Sequence, residues 1–166
     1  MKVLSLFDGI SCGRVALERC EFNVESYDAY EIEKDSIKIS LKNYPDIKQH
    51  GSVVDADFTQ YKGYDLLIGG SPCQGFSFAG EMLNFEDPQS KLFFEFVRAL
   101  KEVEPKYFLL ENVKMPKQFE NVITEYLGVK PILINSNLVS AQNRQRLYWT
   151  NIPNVDQPED RGILLK

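Results

Sequence analysis

Short apolar runs alternate along the chain with longer segments in which apolar residues recur at helical spacing. The runs are typical of buried strands and lie at 3–7, 24–30, 52–54, 65–68, 107–110, 132–134 and 146–149. The segments with helical spacing predict helices over 14–20, 35–43, 89–103 and 117–127. Because strands alternate with helices, the pattern predicts an α/β fold with a doubly wound, mostly parallel sheet.

Length and composition indicate one globular domain. A chain of 166 residues can bury one core but is short for two domains, so we expect a single domain over 1–166. No apolar run reaches membrane-spanning length and the first strand follows directly on Met1, so neither a membrane partner nor a signal peptide is expected. Cys12, Cys20 and Cys73 form no CxxC pair, which favours a reducing cytoplasmic compartment.

Charge and histidine content restrict the candidate functions. The formal net charge is −5, so a nucleic-acid function needs a local basic patch or a separate binding module. His50 is the one histidine of the sequence, and a cysteine–histidine hydrolase would depend on it alone. A thiol hydrolase is therefore a distant alternative.

The stretch Gly-Gly-Ser-Pro-Cys-Gln-Gly-Phe-Ser at 69–77 follows the apolar run 65–68. Glycines let the backbone turn away from the strand, Pro72 fixes its own φ, and Cys73 comes next. Loops at the carboxyl ends of strands carry ligand and catalytic residues in open α/β sheets, so Cys73 is a candidate nucleophile. A small buried thiol in a tight turn is the alternative interpretation.

Two further features suit a nucleotide-like ligand. The turn at 8–13 lies between a predicted strand and a predicted helix, although its glycines do not have the Gly-x-Gly-x-x-Gly spacing of a pyrophosphate site. Glu31 ends the next strand, where a carboxylate can accept hydrogen bonds from a ribose. An ordinary strand–helix turn and a solvated charge explain the same residues.

In their order, these motifs closely resemble the DNA cytosine-5 methyltransferase family. Within that family they look like the de novo type and its phage and bacterial branch. The matching stretches are 7–9 with Gly13, Glu31, 70–77, 111–113 and 142–146. The resemblance implies a Rossmann-like fold of the S-adenosylmethionine-dependent methyltransferases. It also implies double-stranded DNA as partner and the cytoplasm of a bacterium or phage-infected cell as location.

The resemblance assigns catalytic roles to four residues. Carbon 5 of cytosine is a poor nucleophile, and a Cys73 thiolate adding to carbon 6 of a flipped-out base would activate it. Glu111 would hold the base through its ring nitrogen and exocyclic amine, and Arg146 would contact the base carbonyl oxygen. Arg144 would hold the flanking phosphate and lower the pKa of Cys73.

The resemblance also assigns binding roles, and it implies no metal ligands. It places the methionine end of the cofactor at 7–13 and the ribose at Glu31, with S-adenosylhomocysteine as product. The expected cofactor residues are Phe7, Asp8, Gly9, Ile10, Gly13, Glu31, Ile32, Ser52, Val53, Ser71, Pro72 and Leu92. The expected nucleic-acid contacts are Gln74, Gly75, Phe76, Ser77, Asn112, Gln142 and Arg144. The segment 74–90 matches the loop that closes over the base, and we expect 75–90 to be mobile.

The sequence departs from the family pattern in two places. Ser52 stands where the family commonly has an aspartate on the adenine amine, with Asp55 three residues further on. After the last arginine motif the family continues into a target-recognition region and a final helix, whereas this sequence ends in the apolar stretch 162–166. A truncated gene, a split enzyme with a separate target-recognition chain, and a minimal homodimer each fit.

Two other functions share most of these features. The same chemistry on tRNA needs a similar catalytic set, and an inactive remnant acting as a protein-interaction module would explain the absent region. The bases that flank the target cytosine are not specified by these motifs.

Overall fold

The computed structural model describes residues 1–72 and 88–164, with the side chains of 88–90 excepted. Its strands are β1 (Lys2–Leu6), β2 (Ser26–Tyr30), β3 (Lys48–Gln49), β4 (Leu66–Gly69), β5 (Tyr107–Val113), β6 (Ile132–Asn135) and β7 (Gln145–Thr150). Its α-helices are α1 (Cys12–Arg19), α2 (Lys34–Asn43), α3 (Pro88–Val103) and α4 (Lys117–Leu127). Single 3₁₀ turns lie at Thr59–Tyr61 and Ser136–Leu138.

The strands form one mixed sheet in the order β3-β2-β1-β4-β5-β7-β6. The pairs from β3 through β5 are parallel, and β7 runs antiparallel to both of its neighbours. Strand–helix alternation along the chain therefore gives the predicted mostly parallel α/β sheet.

Both faces of the sheet are buried, because alternate residues of a strand enter different cores. In β1, Leu4 and Leu6 join a large cluster with Phe93 and Phe96 of α3, whereas Val3 joins a smaller one. Side chains alternate across a strand, so helices must cover both faces. The fold is thus doubly wound, as predicted.

Trp149 anchors the large core at β7. Its side chain is fully buried, and its indole Nε1 donates to Thr124 Oγ1 of α4 at 3.0 Å. A buried indole needs a partner for its N–H, and this bond supplies it. Apolar packing and this hydrogen bond therefore join β7 to α4.

The predicted strand at 52–54 is wrong. Gly51 has a φ of +81° and Asp55 a φ of +62°, so the backbone there cannot continue as a strand. The Ser52 hydroxyl accepts a hydrogen bond from the Val54 amide at 3.1 Å, a local bond that competes with strand pairing. The edge strand is instead the short β3.

The carboxyl ends of the central strands bring three sequence-distant segments to one edge. Leu6 pairs with Gly69, and Gly69 pairs with Leu110. The next residue along each strand is therefore at the same edge: Phe7, Gly70 and Glu111. In the ranges 1–72 and 88–164, no helix combines the length and apolar character needed to cross a membrane.

Candidate active site

Glu111 and Arg146, two of the predicted catalytic residues, form an ion pair. Glu111 lies opposite Tyr148 in the β5–β7 ladder, and Arg146 is two residues from Tyr148 on the same face. Arg146 Nε donates to Glu111 Oε1 at 2.7 Å, and the two side chains are 17% and 35% exposed. A charge-assisted bond between partly buried groups fixes one carboxylate oxygen.

Gly70 allows the loop after β4 to approach this carboxylate. A Cβ built at Gly70 would lie 3.3 Å from Glu111 Oε2, closer than most real Cβ contacts. The absence of a side chain therefore leaves the second oxygen accessible beside the loop.

Tyr148 shares the face of Glu111, and sequence reasoning did not select it. Burial raises the pKa of its phenol, and the nearby Glu111 carboxylate raises the pKa further. Tyr148 is therefore a neutral hydroxyl beside the ion pair at neutral pH. Its position two residues after Arg146 in a strand is the sequence signal that would have found it.

Asn112 faces the interior, although it was predicted to contact nucleic acid. Its side chain is buried, and Nδ2 donates to the Ser71 carbonyl at 3.4 Å. Its Oδ1 accepts from the Val113 amide at 2.8 Å. Asn112 thus ties the loop after β4 to β5. Ser71, a predicted cofactor residue, is buried beside it.

Arg144 and Gln142 are exposed in the segment that leads into β7. The Arg144 amide donates to Asn135 Oδ1 at 2.9 Å, and its carbonyl accepts from the Ser136 amide at 3.1 Å. Backbone bonds thus hold Arg144 in place while its guanidinium faces solvent. Cys73, Gln74, Gly75, Phe76 and Ser77, and most of the predicted mobile loop, lie outside the described residues.

A pocket of about 140 Å³ opens near the same sheet edge. Its walls are Phe7, Tyr30, Glu31, Ile32, Gly51, Ser52, Val53, Pro72 and Leu92. All of them except Tyr30 and Gly51 are predicted cofactor residues. Seven of the twelve predicted cofactor residues are therefore brought together in space, while cofactor contact itself stays a prediction.

Glu31 joins the first turn to the end of β2. Its Oε2 accepts from the Gly9 amide at 2.7 Å, and its Oε1 accepts from the amides of Ile32 and Glu33, each at 2.8 Å. An ionised carboxylate has about four acceptor sites, so one remains for a further donor. A ribose hydroxyl is a donor of the right kind.

Asp8 organises the turn and does not line the pocket. Its Oδ1 accepts from Ser5 Oγ at 2.6 Å and from Tyr27 Oη at 2.8 Å, and its Oδ2 accepts from Ser11 Oγ. Burial, followed by the Asp8 charge, raises the pKa of Tyr27, which keeps the phenol a donor. These bonds hold a backbone in which Phe7 and Ser11 have positive φ values.

The other predicted residues of this turn also lie outside the pocket lining. Gly13 is a packing glycine, because a Cβ there would lie 2.3 Å from Ile68 Cδ1. Gly9 has a φ of +59°, a value that favours glycine. Ile10 is 46% exposed on the turn.

Comparison with known families decides the relationship. The family model described as C-5 cytosine-specific DNA methylase matches residues 1–160. This chain belongs to that family.

Two curated relatives and one solved structure illustrate the similarity. The type II methyltransferase M.Eco47II of Escherichia coli is 44% identical, in an alignment that covers 92% of this chain and 39% of the relative. The orphan methyltransferase M.SPRI of Bacillus phage SPR is 37% identical, in an alignment that covers 92% of this chain and 38% of the relative. The S. pombe Dnmt2 methyltransferase has a TM-score of 0.73 at 21% identity, over 95% of this chain and 53% of that one.

The chain spans about two fifths of the length of these curated relatives. The fold similarity to a methyltransferase structure confirms the predicted Rossmann-like fold. The family prediction is likewise confirmed.

Proposed function

We propose that residues 1–166 form one domain that carries the catalytic and cofactor-binding residues of a DNA cytosine-5 methyltransferase. The observation that supports this most is the Glu111–Arg146 ion pair beside Gly70, at the sheet edge that also contributes Phe7 to the pocket. Family membership makes cytosine carbon 5 the expected methyl acceptor.

The nucleophile in this proposal is Cys73. Its sequence neighbours Gly70 and Pro72 lie against Glu111 and in the pocket wall, respectively. The thiolate forms a bond to carbon 6 of the cytosine, and the electron pair of the 5,6 double bond becomes available at carbon 5. Carbon 5 takes the methyl group and S-adenosylhomocysteine is the leaving group. The carbon 5 proton then passes to solvent, its electron pair re-forms the 5,6 double bond, and the sulfur–carbon 6 bond breaks to release 5-methylcytosine and the Cys73 thiolate.

Glu111 and the arginines stabilise the base during this addition. Arg146 fixes one Glu111 oxygen, so the carboxyl group is oriented before the base arrives. Glu111 accepts a hydrogen bond from the exocyclic amine and, when protonated, donates to the ring nitrogen. Arg146 has further N–H groups for the base carbonyl oxygen, and the exposed Arg144 suits a flanking phosphate.

The pocket fits part of S-adenosylmethionine. At about 140 Å³ it is smaller than the roughly 300 Å³ of the smallest drug-sized sites, so it holds one portion of the molecule. Ile32, 74% exposed, and Val53 offer apolar faces to an adenine, and Glu31 has an acceptor site for the ribose. The bound cofactor supplies an electrophilic methyl group on a sulfonium sulfur.

Methyl transfer from labelled S-adenosylmethionine to mixed-sequence duplex DNA at low salt tests the proposal. We expect label at cytosine carbon 5 from wild-type protein and none from Cys73→Ala, with cofactor binding retained in the variant. Turnover by Cys73→Ala would contradict the assigned mechanism. Cofactor binding without transfer would indicate that a separate target-recognition chain or a homodimer partner is required.

The nucleic-acid class is tested by trapping. When carbon 5 carries fluorine in place of hydrogen, no proton can be lost from it after methyl transfer, so the adduct with Cys73 persists. We expect the adduct with 5-fluorocytosine in duplex DNA. An adduct with tRNA instead would assign the same chemistry to RNA.

A further inference from the structure

The segment 53–58 begins at the pocket wall and, within the part of the chain that the structure describes, pairs with no strand. Val53 lies in the wall, and the segment continues through Asp55, which has a φ of +62°. Among the described residues, the one backbone–backbone hydrogen bond within this segment is long and runs from the Ala56 amide to the Val53 carbonyl at 3.3 Å. Its buried side chains Val53 and Phe58 pack in the large core, and polar contacts from another element fix its backbone.

Arg98 of α3 supplies that support. Its Nη1 donates to the Ala56 carbonyl at 2.8 Å, and its Nη2 donates to the Val53 carbonyl at 3.3 Å. The guanidinium carbon lies 4.5 Å from the centre of the Phe58 ring. One side chain thus contacts the segment at its start, middle and end.

Two carboxylates of the same helix orient this guanidinium. Glu95 Oε2 accepts from Arg98 Nη2 at 2.6 Å and from Nε at 2.9 Å. Glu102 accepts from Nη1 at 3.1 Å and also accepts from the Phe58 amide, again at 3.1 Å. With 33% of the Arg98 side chain exposed, the group is a partly buried network and not a solvated helix pair.

The same helix contributes Leu92 directly to the pocket. α3 therefore carries one wall and holds a second wall through Arg98. We propose that Arg98 is a positioning residue for cofactor binding. By holding the backbone at Val53 and Ala56, it fixes the position of Val53 beside the adenosine portion of S-adenosylmethionine. This inference rests on the proposed function.

Substitution of Arg98 separates this role from general stability. Arg98→Gln removes the planar fork that reaches both carbonyls, and Arg98→Lys retains the charge without the fork. We expect Arg98→Gln to weaken binding about tenfold, which is the size of one charge-assisted hydrogen bond. Arg98→Lys is expected to fall between Arg98→Gln and wild type. Lys101→Gln, an exposed site on the same helix, is the matched control and should bind as wild type does.

Equilibrium dialysis measures the effect with two labelled probes, S-adenosylhomocysteine and 5′-methylthioadenosine. Both carry the adenosine and only the first carries the amino-acid end, so an adenosine-side defect lowers both affinities by the same factor. Circular dichroism melts establish that each variant is folded, and Arg98→Lys provides the test if Arg98→Gln does not fold.

Three results would overturn the inference. A folded Arg98→Gln variant with wild-type affinity would remove Arg98 from cofactor positioning. A loss confined to S-adenosylhomocysteine would place its effect at the other end of the ligand. Failure of the wild-type protein to bind either probe would overturn the proposed function together with the inference.

Discussion

The Glu111 carboxylate is shared between an arginine and an open side facing Gly70. Arg146 engages Oε1, and Oε2 is the oxygen on the Gly70 side, where the proposal places the base. In the proposal, the contacts of Glu111 with the base therefore need a carboxyl group, and an amide of the same shape would not replace it.

Glu111→Gln tests that dependence. We expect the fold to persist and the rate of methyl transfer to fall on the order of a hundredfold, as for loss of a general acid–base contact. Single-turnover kinetics with saturating cofactor measure the rate. A variant with the wild-type rate would exclude Glu111 from the site, and an unchanged melting temperature is the control for folding.

Gly13 allows close packing against Ile68, which a side chain at position 13 would prevent. Gly13→Ala places a methyl group 2.3 Å from Ile68 Cδ1, so we expect a loss of about 1–3 kcal/mol in the free energy of unfolding. Urea denaturation measures it. Adding Ile68→Val removes the clashing methyl group, and the double variant should cost less than the sum of the single ones. Additive costs would contradict this packing explanation.

At the scale of elements, β2 and the edge strand β3 are joined through a buried carboxylate. Asp28 accepts from His50 Nε2 at 2.8 Å, Ser26 Oγ at 2.8 Å and Tyr64 Oη at 2.9 Å. His50 also stacks on Tyr30, which lines the pocket. The histidine therefore has structural partners in Asp28 and Tyr30.

This cluster predicts how stability depends on acid. Burial alone would raise the pKa of Asp28, but hydrogen bonds from His50, Ser26 and Tyr64 outweigh it and lower the pKa. Asp28 therefore stabilises the fold fully above its unfolded pKa of about 3.9, and the stabilisation is lost as pH falls through the lower folded value.

We expect Asp28→Asn to lower the free energy of unfolding at neutral pH and to flatten its decline below about pH 4. Urea titrations from neutral to acid pH measure both effects. Asp46→Asn removes a carboxylate that is 61% exposed and serves as control. An identical pH profile for Asp28→Asn and wild type would contradict the assignment.

Local signals predicted most elements, and tertiary contacts explain the exceptions. α4 begins and ends as predicted because Gly128, with a φ of +70°, is a strong helix stop. β5 extends past the predicted end at 110 to Val113 because β7 pairs with it there, a contact between distant segments. The Val53–Val54 pair suggested a strand, but Arg98 binds that segment from another element.

The residues of the candidate site that could be predicted from the sequence are those that lie in short motifs. Glu31, Glu111 and Arg146 stand at recognisable strand ends. Tyr30 was missed because a tyrosine ending an apolar run is typical of core, and Arg98 because carboxylates three and four residues away are typical of a solvated helix face. Neither property identifies a pocket wall before the chain is folded.

For the whole molecule, charge limits how it meets nucleic acid. A chain of net charge −5 gains little non-specific attraction to a duplex. Each exposed arginine that contacts a phosphate therefore contributes a large share of that electrostatic attraction. The chain also matches only about two fifths of the length of its curated relatives.

Salt dependence tests the proposed phosphate contact of Arg144. For duplex binding, we expect Arg144→Gln to reduce the slope of log affinity against log salt by about one, the value for one phosphate contact. Fluorescence anisotropy over a low-salt series measures the slope. Arg161→Gln changes the net charge equally at another exposed site and should leave it unchanged. Equal slopes for wild type and Arg144→Gln would remove Arg144 from the interface.

The position of Trp149 has a spectroscopic consequence. It is the one tryptophan of the sequence, and it is fully buried where β7 packs on α4 and does not line the pocket. Its emission should therefore be blue-shifted in the native protein, move to the red on unfolding, and change little when the pocket fills. Intrinsic fluorescence thus gives an internal monitor of folding that is independent of ligand occupancy.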